Sequence, residues 1–124
     1  LELFHRIVTA ARSWRGQVEE AEARAHAGAP AFVYQLDFED AKHTDDIGLS
    51  FGTTLEPTSA QQAMSDRVMD AFVRFARSGD PGWPAYDLGK RQTMIFDTES
   101  RVENDPRKWE RELFARVPYI QPGS

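Results

Sequence analysis

Apolar residues recur at helical spacing from the start of the chain, with Phe4, Ile7, Val8 and Ala11 on one stripe and Trp14, Val18, Ala21 and Ala25 on a second. An interruption near Gly16 predicts two helices or one broken helix. Gly28 and then Pro30 end it, since glycine reverses the chain after a last turn and proline cannot extend the ladder. The run Ala31 to Phe38 is mostly apolar and rich in aromatic and branched residues, which predicts a central strand covered on both faces. Glu39 to Asp46 is polar and leads into the less polar Ile47 to Phe51, which together read as a loop at a strand end.

Pro57 and Ser59, with Gln62 three residues beyond, resemble a capping box opening a helix with the stripe Met64, Val68, Ala71, Phe72, Phe75 and Ala76. Gly79 ends it, and Asp80 to Tyr86 is dense in turn formers and aromatic residues, as in an irregular packed segment. Thr93 to Asp97 and Arg101 to Asn104 flank Thr98-Glu99-Ser100 as the arms of an edge hairpin. Asp105 as N-cap and Pro106 at the first helical position predict a last helix with Trp109, Leu113 and Phe114 on one side. The class is α/β. A strand covered on both faces needs neighbours that a late, short hairpin does not suit, so the rest of the sheet is expected outside this chain.

Composition narrows the partners. The 124 residues are 40% hydrophobic and 28% charged, an ordinary globular balance, and the net charge of -5 with scattered Lys and Arg argues against nucleic acid. Without cysteine there is no disulfide, thiolate nucleophile or zinc-thiolate site. No apolar run approaches the roughly twenty residues of a membrane span. The chain enters a helical pattern directly at Leu1, so the true N-terminus, with any targeting signal, is expected upstream and the compartment stays open.

Of the three histidines, His5 and His26 lie in helical segments without clustered acids or hydroxyls and read as surface or partly buried residues. His43 follows the predicted strand, where loops at the carboxyl ends of parallel strands gather functional groups, and Asp45 and Asp46 come just after it. Local spacing leaves four readings open. They are a surface histidine, a metal ligand in His-x-Asp-Asp, a carboxylate pair at Asp45 and Asp46, and a general base for a nucleophile elsewhere.

The run Phe32-Val33-Tyr34-Gln35-Leu36-Asp37-Phe38, followed by Ala41-Lys42-His43-Thr44-Asp45-Asp46-Ile47, resembles the type B carboxylesterases, the family of bacterial para-nitrobenzyl esterases and animal cholinesterases. In that family a Y-x-F/L-D strand leads to an A-x-H-x-x-E/D-I loop. Phe75-Ala76-Arg77-Ser78-Gly79-Asp80-Pro81 is similar to its F-A-x-x-G-x-P, and Trp83-Pro84-Ala85-Tyr86 to its W-P-x-Y. Met94-Ile95-Phe96 and Asn104-Asp105-Pro106-Arg107 resemble its closing strand and final helix, so the likeness runs from Phe32 to about Arg111. The loop between Phe38 and His43 is shorter than usual for the family, and no G-x-S-x-G nucleophile elbow occurs.

The resemblance implies that residues 1–124 are the C-terminal portion of one α/β-hydrolase domain. Its sheet would be mostly parallel and flanked by helices, with a late edge hairpin and a C-terminal helix. His43 would be the triad histidine and Asp46 the acid that orients it from behind, while Phe75, Trp83 and Tyr86 pack. Serine, triad acid and oxyanion hole would lie in an N-terminal portion. The implied reaction is carboxylic ester hydrolysis through an acyl-serine, with a small-molecule ester as partner and no cofactor or metal. The alternatives are a non-catalytic binding or adhesion module of the same fold and an independent α+β interaction domain.

Overall fold

The computed structural model describes residues 1–42 and 44–118. Helix α1 (Glu2–Thr9) runs through a wide π-helical turn (Ala10–Trp14) into α2 (Arg15–His26). Thr9, Trp14 and Arg15 keep right-handed helical dihedrals, so this is one continuous helix, and its irregular turn precedes Gly16. A lone helical glycine costs only about 1 kcal/mol, which the flanking turns absorb. At the far end Gly28, at φ +70°, donates to the Ala25 carbonyl and Ala29 donates to Arg24, satisfying the last carbonyls as expected of a glycine stop.

Strand β1 (Val33–Leu36) is followed by a 3-10 turn (Phe38–Asp40) and helix α3 (Asp45–Phe51). Next come α4 (Ser59–Ser78), the hairpin β2 (Gln92–Phe96) and β3 (Arg101–Asn104), and α5 (Lys108–Phe114). The sheet order is β1-β2-β3. β1 pairs parallel with β2 from Val33 opposite Thr93 to Leu36 opposite Phe96, and β2 pairs antiparallel with β3. Two expectations are corrected here. The predicted strand, Ala31 to Phe38, shortens to the four half-buried residues Val33–Leu36. The hairpin does supply its parallel partner, because α4 carries the chain back along the sheet before β2 enters beside β1.

Phe32, Tyr34, Leu36 and Met94 pack against a core of Phe38, Leu49, Met64, Val68, Ala71, Trp83 and Phe96, which places α3 and α4 on that face of the sheet. Segment 45–51, read as loop, is helical: Asp45 and Asp46 suit a first turn, and Leu49 turns inward to be buried against α4. The buried Ser65 hydroxyl donates to the Leu49 carbonyl at 2.7 Å. The capping box of α4 sits one residue earlier than read. The Thr58 side chain accepts from Gln61 N–H at 3.1 Å, and the Gln61 side chain accepts from Thr58 N–H at 3.0 Å. Along α4 the inner stripe is Met64, Val68 and Ala71, while Phe72 and Phe75 stay 45% and 49% exposed.

Asp105 does not cap the last helix. At φ +49° it turns the chain, and its carboxylate receives two hydrogen bonds from Arg111, so α5 starts only at Lys108. Of the predicted apolar side only Phe114 turns inward, half-buried against the Trp14 ring: Trp109 and Leu113 are exposed, and Glu110 is buried between Arg107 and Arg6. A buried carboxylate needs paired cations. At the other end of the chain α1 buries none of its residues, leaving Leu3, Phe4 and Ile7 exposed.

Ile95, 1% exposed on the middle strand, gives a direct test of this packing. In the protein that contains this chain, Ile95→Ala should lower unfolding free energy by roughly 2–5 kcal/mol. Ile47→Ala, at a 53% exposed site, should stay within about 0.5 kcal/mol by the same chemical denaturation.

Candidate active-site loop

The loop singled out from the sequence joins β1 to α3, beyond the carboxyl end of the strand. His43 itself lies outside the described residues, and the loop is built from its neighbours. Glu39 and Asp40 take positive φ angles of 54° and 53°, and Thr44 reaches 78°, so the chain reverses tightly after β1. Two bonds close the turn across position 43. The Lys42 N–H donates to the Asp45 carboxylate at 2.8 Å, and the Asp45 N–H donates to the Lys42 carbonyl at 3.1 Å. The Ile47 N–H then donates to the Thr44 carbonyl at 3.0 Å and starts α3.

Asp46 stands in the first turn of α3 and accepts a hydrogen bond from the Tyr34 hydroxyl at 3.1 Å. The Tyr34 ring meets Phe72 of α4 and Phe96 of β2 edge to face, at 6.0 and 5.7 Å between centroids. The hydroxyl is thus delivered to Asp46 by a side chain held from two other elements. Burial, and then the Asp46 charge and hydrogen bond, push the Tyr34 phenol up to about 12. From the sequence Tyr34 had only a place in the strand and its motif, and Asp45 was weighed as a metal ligand or half of a carboxylate pair, not as the residue that closes the turn onto Lys42. Alternation of Phe32, Tyr34 and Leu36 already puts Tyr34 on one face, but only the returning helix shows what its hydroxyl meets.

The other three motif residues, all expected to pack, do so to different degrees. Trp83 and Tyr86 are each 8% exposed, whereas Phe75 is about half exposed with its ring 5.9 Å from that of Phe32. Tyr86 N–H donates to Ala31 O at 2.7 Å, and its hydroxyl accepts from Arg91, which also pairs with Glu22 of α2. His5 and His26 are exposed. Beside the sheet a cleft of about 1230 Å³ opens between the first helix and β1, bordered by every residue from Pro30 to Asp37. No described helix is long and apolar enough to cross a membrane.

No family model matches the chain. It is 30% identical to the para-nitrobenzyl esterase of Bacillus subtilis (strain 168), over 80% of this chain and 24% of that protein. An acetylcholinesterase of Leptinotarsa decemlineata is 27% identical, over 70% of this chain and 17% of that protein. The carboxylesterase of Geobacillus stearothermophilus superposes with a TM-score of 0.80 at 27% identity, over 88% of this chain and 27% of that one. The mixed sheet and its helices are therefore part of an α/β-hydrolase fold. Within that fold the chain is a relative of the type B carboxylesterases, the family its motifs resemble. It spans between 17% and 27% of the length of these relatives.

Because the folded value of Tyr34 stands above the ordinary 10.0, its contribution to stability is whole below pH 10 and is lost as pH rises toward about 12. The advantage of wild type over Tyr34→Phe in melting temperature should narrow across that window. Phenolate absorbance should show a tyrosine titrating near 12 that is missing from the variant.

Proposed function

We propose that the protein containing this chain hydrolyses carboxylic esters through an acyl-serine intermediate, with His43 as its general base and acid. The observation that carries this reading is the likeness to carboxylesterases over four fifths or more of the chain, with A-x-H-x-x-D-I falling in the turn between β1 and α3. A serine hydroxyl attacks the ester carbonyl while the neutral imidazole takes its proton. The imidazolium then protonates the departing alcohol, leaving the acyl-serine. In the second half the same imidazole takes a proton from water, which attacks the acyl carbon, and returns it to the serine as the carboxylic acid leaves. An acid outside this chain would hold the imidazole tautomer, and backbone N–H groups would stabilise the oxyanion. This chemistry needs no cofactor.

His43→Ala in the intact protein should lower kcat for a simple aryl ester by about 10³ or more without loss of fold, and the wild-type rate should fall on the acid side as the imidazole protonates. Turnover at the wild-type rate in a folded variant rejects the assignment.

The partner implied is the N-terminal portion of the same enzyme, with serine and triad acid, packed along β1. Three observations support this. β1 ends the described sheet on one side although all four of its residues are half-buried. The neighbouring cleft exceeds the roughly 300–1,000 Å³ of an ordinary ligand pocket. Trp83 lines the same cleft, with its Nε1 buried and without an acceptor among the described residues, an unmet donor that costs about 1–3 kcal/mol in the chain as it stands. The isolated chain should show no esterase activity and should aggregate or bind a hydrophobic dye as a molten species. Adding a complementary piece with G-x-S-x-G should restore activity. A monomeric chain that melts cooperatively by itself and exposes little apolar surface would favour the independent domain instead.

A further inference from the structure

We infer that Tyr34 is a positioning residue for the proposed ester hydrolysis, acting through Asp46 on the turn that carries His43. This rests on the esterase reading and extends it to a residue the reaction itself does not require. The observation is the hydrogen bond from the Tyr34 hydroxyl to Asp46 Oδ2 at 3.1 Å, twelve positions apart in sequence, between a strand and the helix that follows it.

Several features make this contact more than a strand residue finding a convenient acceptor. Lys42 and Asp45 are joined by two bonds, and Asp46 follows directly in the first turn of α3. A closed turn still needs fixing to the scaffold. At its far end α3 is fastened by Ser65 to Leu49 and by burial of Leu49, both at the α4 side. At its near end the Tyr34 hydroxyl ties the first turn to the sheet. The phenol does not wander, because its ring lies against Phe72 and Phe96, and β1 is itself hydrogen-bonded to β2 at Tyr34 opposite Met94.

The chemical consequence follows from placement. A general base works only if it is held near its proton donor, and misplacement by about 1 Å costs on the order of a hundredfold in rate. Loss of the tyrosine hydroxyl leaves the turn intact but frees its angle to the sheet. On this reading the contact serves the base and not the ester, so the loss falls on kcat rather than KM.

The test is a double-mutant cycle in the intact enzyme with para-nitrophenyl acetate as substrate, comparing wild type, Tyr34→Phe, Asp46→Ala and the double variant. Tyr34→Phe should lower kcat about tenfold with KM little changed, and Asp46→Ala by roughly ten to a hundredfold. The double variant should be no slower than Asp46→Ala, since either change breaks the same link. Asp46→Asn keeps an oxygen acceptor, so in that background Tyr34→Phe should still cost activity. Wild-type kcat in Tyr34→Phe, or losses that multiply in the double variant, overturns the inference. A variant that only melts earlier, with kcat per folded molecule unchanged, overturns it as well. His43→Ala assayed alongside separates the two levels. If wild type is inactive, or active without His43, the esterase reading fails and the role of Tyr34 falls with it. If activity depends on His43 but not on Tyr34, only this inference is lost.

Discussion

The parallel pairing of β1 with β2 is the contact on which the rest of the chain is arranged. It brings Val33 beside Thr93 and Leu36 beside Phe96, so the whole segment between them must leave the sheet, cross one face and return in the same direction. Parallel neighbours demand such a crossover, and here α3 and α4 provide it. Closure of that loop places the β1–α3 turn beyond the carboxyl end of β1 and lays α3 on α4. The resulting core runs from Phe38 and Leu49 through Met64 and Val68 to Trp83 and Phe96.

Aromatic rings carry this closure across the sheet face. Phe75, Phe32, Trp83, Phe96, Tyr34 and Phe72 meet edge to face in an unbroken series, each centroid within 6.5 Å of the next. Such contacts add about 0.5–1.5 kcal/mol each beyond the area they bury, and they fix ring directions as well as positions. At Tyr34 this packing meets polar chemistry, since the held ring presents a hydroxyl to Asp46. The opposite flank is organised by charge: Arg91 joins Glu22 to Tyr86, Arg111 grips Asp105, and Arg107 lies over the Trp14 ring, 4.2 Å from its centroid. The first helix is tied to the remainder by the Glu22 and Trp14 contacts and by its buried Ala10, Arg15 and Ala21, while its opening turns in α1 bury nothing.

An amphipathic helix without a buried face and a strand at the sheet edge with half-buried residues belong to one physical situation. Both elements have the composition of interior pieces, and both border the same cleft. Apolar surface of this kind is normally covered. The relatives it matches are several times longer than this chain, and the proposed N-terminal portion would cover helix, edge and cleft together.

Much of the local structure was legible in the residues alone, because short-range chemistry decides it. Glycines with positive φ stop α2 and α4 where expected, and the turn-rich segment around Trp83 and the hairpin arms fall where their composition puts them. The motif around His43 was legible for a different reason: its order of residues resembles a known family. What the sequence did not reveal depends on distant partners. Asp45 and Asp46 look like loop acids until Leu49 finds α4 and makes segment 45–51 helical. Asp105 looks like a cap until Arg111 claims its carboxylate, and Trp109 like a core residue until Glu110 is drawn inward by Arg107. A polar side chain takes whichever partner the tertiary fold brings within about 3 Å, and spacing along the chain does not encode that partner. The strand of Tyr34 was determined by the sequence alone, whereas its link to Asp46 was decided by the fold, which turns the chain back after β1 and sets the two side by side.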